Sequence, residues 1–146
     1  MTVANITERV VLIRLSLIKE NLNPVQLREN LAGWNDVQRT TTTPDELYDI
    51  TRGIWKIGER REKVGYAFAV IKGVIKEVYK IEQWYPSLTT EYKTRTLPNP
   101  LPEKYEGRFE FTGKISDEMH KKYVGKSVSH YFKRGDQHPT KCLNIS

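Results

Sequence analysis

The chain has 146 residues, enough for one domain spanning 1–146 with a real core and too few for a second. Lys and Arg outnumber Asp and Glu by 24 to 18, so the formal charge of +6 favours polyanions such as nucleic acid, although a basic protein without such a partner has the same balance. The single cysteine, Cys142, excludes an intramolecular disulfide and fits a reducing compartment, and the most apolar N-terminal run, VVLIRLSLI, is too short and too interrupted by Arg14 for a membrane span or signal peptide; a cytoplasmic chain is expected.

In RVVLIRLSLI the apolar residues Val11, Ile13, Leu15 and Leu17 alternate with Arg14 and Ser16, which predicts a strand with one buried face. A short helix opened by Asn23 and Pro24 and stopped by Gly33 follows, then a polar loop. Thr43, Pro44 and Glu46 form a capping box with proline at the first helical position, so PDELYDITR reads as a helix delivering the chain to Gly53. YAFAVIK and VIKEVYKI flank Lys72 and Gly73, a hairpin signal. The first of these strands is apolar on both faces and should be central. In the second, Ile75, Glu77, Tyr79 and Ile81 share one face, with Glu77 the charge expected to be buried.

The stretch from Tyr85 to Glu106 is proline-rich and aperiodic, and predicts a long loop able to rim a site. GRFEFTGKI alternates, with Phe109, Phe111 and Ile115 inward and Arg108, Glu110, Thr112 and Lys114 outward. Ser116 caps a helix through DEMHKKY that ends at Gly125, and TKCLNI is a closing strand. SVSHYFKRG fits strand or helix. About five or six short strands with short helices indicate an α+β domain: a small, partly closed barrel, or an open sheet with helices on one face.

Gly53, Lys56, Glu59 and Arg61 give the spacing G-x-x-K-x-x-E-x-R, which resembles the G-x-K-x-x-E-x-R signature of ASCH domains, with one residue inserted after the glycine. ASCH domains belong to the PUA-like β-barrels. The resemblance implies a PUA-like pseudo-barrel whose cleft meets single-stranded RNA or a flipped, modified base, and in some members a nuclease or amidohydrolase. Carried over here, the cleft would hold Lys56, Glu59 and Arg61.

The residues point the same way. Arg52, Lys56, Arg60, Arg61 and Lys63 cluster around Trp55 and Tyr66, and cations among aromatic rings grip phosphates and stack on bases. Trp84 extends the aromatic content, together with Trp34 and Tyr85, and Lys133 and Arg134 beside Tyr131 form a second basic cluster. Glu59 and Glu77 are the candidate acids or bases, although an arginine-paired structural carboxylate explains either. His120, His130 and His138 lack partners at metal-binding spacing, so no metal or cofactor is expected. The leading expectation is an RNA- or DNA-binding domain that favours single strands or a modified base. A nucleotide-processing enzyme using Lys56 and Glu59, and a protein-interaction accessory subunit, are the alternatives.

Overall fold

A computed structural model describes residues 2–15, 43–87, 89–94, 106–136 and 138–146. The helix expected from Asn23 to Gly33, Trp34, and much of the proline-rich stretch lie outside the described residues. The architecture is α+β. Strands β1 (Val10–Arg14), β2 (Tyr66–Ile71), β3 (Val74–Pro86), β4 (Phe109–Ile115) and β5 (Thr140–Leu143) form one sheet in the order β4-β3-β2-β1-β5. β1 and β2 are parallel, and the other neighbours are antiparallel.

The hairpin forms where Lys72 and Gly73 take φ values of 52° and 78°, the left-handed pair that a two-residue turn requires. β2 is mid-sheet, and its alternation fills both faces: Phe68 and Val70 on one, Ala67 and Ala69 on the other, all buried. β1 is buried on both faces as well, so the single buried face expected of it is corrected; Val10 and Leu12 sit in one core cluster, Val11 and Ile13 in the other. A bulge between Ala69 and Val70 breaks the expected β3 face in two, sending Ile75 to one core and Tyr79 and Ile81 to the other.

Among the described residues, one helix covers each face. Helix α1 (Pro44–Thr51) starts at Thr43, whose hydroxyl accepts from the Glu46 N–H, and contributes Ile50 to the cluster around Ala67, Tyr79 and Phe111. Helix α2 (Asp117–Tyr123) is capped by Ser116 and contributes Met119 and Tyr123 to the cluster around Phe68 and Val78. A sheet buried on both faces needs no curling, and it is open, not the pseudo-barrel expected. Nor do the helices share a face. Its β4 edge is protected by a returning segment: Trp55 and Phe109 exchange two backbone hydrogen bonds, and the Phe111 N–H donates to the Arg52 carbonyl.

The N-terminal segment is tied down beside α2. The Ala4 N–H donates to the Ser127 carbonyl, and the Ile6 N–H to the Tyr131 hydroxyl. Glu8 accepts from Lys122 at 2.8 Å and from the Tyr123 hydroxyl at 2.5 Å. Partial burial opposes ionisation of Glu8, but these two donors outweigh it and bring its carboxyl from 4.5 down to about 2.

Candidate functional site

The sequence 59–63, ERREK, makes a single 3₁₀ turn between the α1 connection and β2. The Gly65 N–H donates to the Arg9 carbonyl and the Ile81 N–H to the Gly65 carbonyl, which fixes this turn to one end of the sheet. Arg61 is its inward-facing member. Its Nη1 donates to the Gly58 carbonyl at 2.9 Å, and its guanidinium carbon lies 3.6 Å from the centroid of the Phe109 ring, so the planar group is immobilised on an aromatic face. Lys56, Glu59, Arg60 and Lys63 are exposed.

Across from the turn, β3 runs on past the start of β2 and carries Trp84 at this end of the sheet. The indole packs edge-on against Phe111 with centroids 5.2 Å apart and remains half-buried. Between turn and strand is an open groove of about 290 Å³, lined by Arg61, Glu62 and Val64 on one side and Ile81, Glu82, Gln83 and Trp84 on the other. Pairing of β3 with β4 shifts register between Ile81 and Gln83, so Glu82 is the extra residue of a bulge. Gly113 permits it, because a Cβ there would collide with the Lys80 carbonyl oxygen. The Arg61 Nε–H and Trp84 Nε1–H are buried with no hydrogen-bond acceptor among the described residues; Glu62 Oε1 is 3.5 Å from Arg61 Nε, an ion-pair distance.

The expected cluster divides. Arg61 and Trp84 meet in the groove, with Arg60 and Lys63 on the same turn. Arg52 and Trp55 are corrected from surface to core: each is 2% exposed. The Trp55 indole donates to the Thr51 carbonyl at 2.6 Å and packs with Ile57 and Val64, so its faces are closed to a base. Arg52 donates through Nε to the Phe111 carbonyl and through its terminal nitrogens to the Glu91 carbonyl and the Thr90 hydroxyl, with its guanidinium carbon 4.1 Å from the Tyr92 ring centroid. Tyr66 is half-buried against the α2-side core. Lys133 and Arg134 are exposed near the opposite end of the sheet, where Arg14 donates to the Asp136 and His138 carbonyls; they do not join the turn.

The signature residues also separate. Arg61 lines the groove, whereas Lys56 and Glu59 do not, and Gly53 is packed against Glu110 and the Tyr92 hydroxyl. Glu77 is on the α2 side, 2.7 Å from His120 Nδ1 and accepting from the Val78 N–H.

Sequence reasoning missed a second polar cluster. Glu110, expected outward, is 0% exposed; it accepts from the Thr90 N–H and hydroxyl and from the Tyr92 hydroxyl, while Asp49 accepts from the Thr94 N–H and hydroxyl. No local signal marks it, since the donors arrive from residues 89–94. Cys142 on β5 is half-buried; burial raises its thiol, and the positive charge of Arg60 works against that rise. Among the described residues no three His, Cys, Asp or Glu side chains converge as a metal site, and no helix is long and apolar enough to cross a membrane. No family model, curated protein or solved structure matches the chain.

Proposed function

We propose that the chain binds single-stranded nucleic acid at the end of the sheet that carries the 59–63 turn, with phosphates at Lys56, Arg60 and Lys63 and an unpaired base beside Trp84. One observation carries the reading: an immobilised arginine and a half-buried tryptophan line the same open groove, and two further cations, Arg60 and Lys63, share the arginine's turn. Phosphate contacts supply affinity and a ring at the groove wall supplies stacking, which needs an unpaired base. The 53–61 resemblance supports relating the chain to the ASCH and PUA-like nucleic-acid readers, although its open sheet lacks their barrel closure. An enzymatic role for Lys56 and Glu59 gains no support from a groove that neither residue lines.

The test is a titration of labelled single-stranded and duplex oligonucleotides at two salt concentrations. Arg60→Ala/Lys63→Ala should weaken binding and flatten the single-strand salt slope by roughly 0.7 for each phosphate no longer neutralised. Trp84→Ala should weaken single-strand binding by about 1–3 kcal/mol and leave the slope unchanged. Absence of binding to every oligonucleotide at low salt would overturn the proposal and favour a protein partner. A Trp84→Ala variant as tight as the parent would reduce it to phosphate contact alone.

A further inference from the structure

The groove beside Trp84 includes two acids, Glu62 and Glu82, and the adjoining turn sets Glu59 among the cations Arg60, Arg61 and Lys63. A carboxylate repels phosphate, so it weakens a polyanion site unless the ligand brings hydrogen-bond donors to it. The sugar–phosphate backbone has few donors, whereas the edges of unpaired bases have several. Glu62 is near Arg61 and largely solvated. Glu82 is the acid to consider, because among the described residues its exposed side chain makes no hydrogen bond or ion pair, and it is the bulged residue of β3. Bulges re-aim side chains at the places where sheets present sites.

Guanine is the base whose edge fits this arrangement. Its N1–H and 2-amino group are adjacent donors that match the two oxygens of one carboxylate, and its O6 and N7 are adjacent acceptors of the kind arginine recognises. Adenine and cytosine each offer a single amino group on that edge, and uracil a single N–H. The donor side of the groove is also in place. Arg61, 17% exposed in its side chain, is held by the Gly58 carbonyl and the Phe109 ring, so its guanidinium is fixed at the groove wall. A volume of about 290 Å³ is at the small end of ligand pockets, which run from roughly 300 to 1,000 Å³, and is suited to one base.

We infer that this groove reads an unpaired guanine in a single strand, with Glu82 accepting from N1–H and the 2-amino group, Arg61 donating on the O6/N7 side and Trp84 forming the stacking wall. The inference rests on the single-strand reading above. It assigns Glu82 a purpose: it selects the base while the cations outside the groove hold the phosphates.

Fluorescence anisotropy with the intact chain tests it, using an eight-nucleotide oligouridine, the same strand with one central guanosine, and strands with inosine or adenosine at that position. Inosine keeps N1–H, O6 and N7 and lacks only the 2-amino group. The guanosine strand should bind about tenfold tighter than the inosine strand, and at least as much tighter than the adenosine strand. Glu82→Gln, at an exposed position, should bring guanosine and inosine within about twofold of each other, while affinity for plain oligouridine stays level or rises because a negative charge is removed. Equal binding of the guanosine and inosine strands by the parent would overturn the guanine assignment and leave single-strand binding standing, as would a Glu82→Gln variant that keeps the preference. No binding of any strand would overturn the single-strand reading and this inference with it.

Discussion

Arg52 and Arg61 are nine positions apart in a single basic stretch, yet they occupy opposite physical regimes. Arg52 is sealed behind β4, where the Phe111 carbonyl, the Glu91 carbonyl and the Thr90 hydroxyl take up its donors and the Tyr92 ring covers its face. Arg61 is at a groove wall with its plane fixed, and its neighbours Arg60 and Lys63 are in solvent. Positive charge in a sequence therefore covers two different uses. A sealed arginine cross-links segments that a hydrophobic core alone would not join, here residues 89–94 to the β4 edge; an open one is available to something outside the chain.

Substitution at the sealed end should give the largest effect. Arg52→Ala leaves Glu110 buried opposite a lost cation on the shared Thr90 hydroxyl, and should lower unfolding free energy by about 3–5 kcal/mol in urea denaturation. Trp55→Ala should lower it by a similar amount, about 3–5 kcal/mol, because its indole fills space in the core. If either variant kept parental stability while losing oligonucleotide binding, the contrast between sealed and open residues would break.

Glu8 is an intermediate case, a half-buried charge with two donors. Its carboxyl has a lower pKa in the folded state than the ordinary 4.5, so the unfolded chain binds the proton more readily. The stability it contributes is complete above pH 4.5 and is lost as pH falls toward about 2. Acid titration of stability should show this loss in the parent and a flatter profile in Glu8→Gln. A profile unchanged by the substitution would remove Glu8 from the middle of the series.

The smallest effect on the fold belongs to the open residues. Arg60→Ala/Lys63→Ala should shift unfolding free energy by no more than about 0.5 kcal/mol per site, with the same denaturant slope, because neither side chain is buried. Destabilisation well beyond that would place the turn with Arg52 as architecture and blur the distinction.

Local chemistry made much of the scaffold readable. The Thr43–Glu46 capping box, the Ser116 cap and the Lys72–Gly73 turn each satisfy backbone groups within a few residues, so their signals are carried by neighbouring letters. What escaped depends on segments that return from far away. Alternation assigned Glu110 to solvent, and it would be there if residues 52–55 and 89–94 did not cover that edge. Trp55 looked like a ring among charges because the stretch places it there, whereas the chain turns its indole back to the Thr51 carbonyl. The groove itself was half legible: Arg61 and Trp84 were both candidates, but the bulge that makes Glu82 the extra residue follows from β3–β4 register, which no single strand reveals.

The parallel pairing of β1 with β2 has a consequence for the order of assembly. β2 and β3 close over a two-residue turn, a contact with little loop entropy to overcome. β1 is held in place by groups distant in sequence: the Ile6 N–H finds the Tyr131 hydroxyl across 125 residues, and Asn144 reaches the Ile6 carbonyl across 138. High contact order slows folding, and on that argument the local hairpin should form early, with β1 and β5 among the last elements to dock. Until β1 docks, one edge of YAFAVI has unpaired backbone groups, so the strand that ends mid-sheet is for that interval an edge strand, open to pairing with another chain.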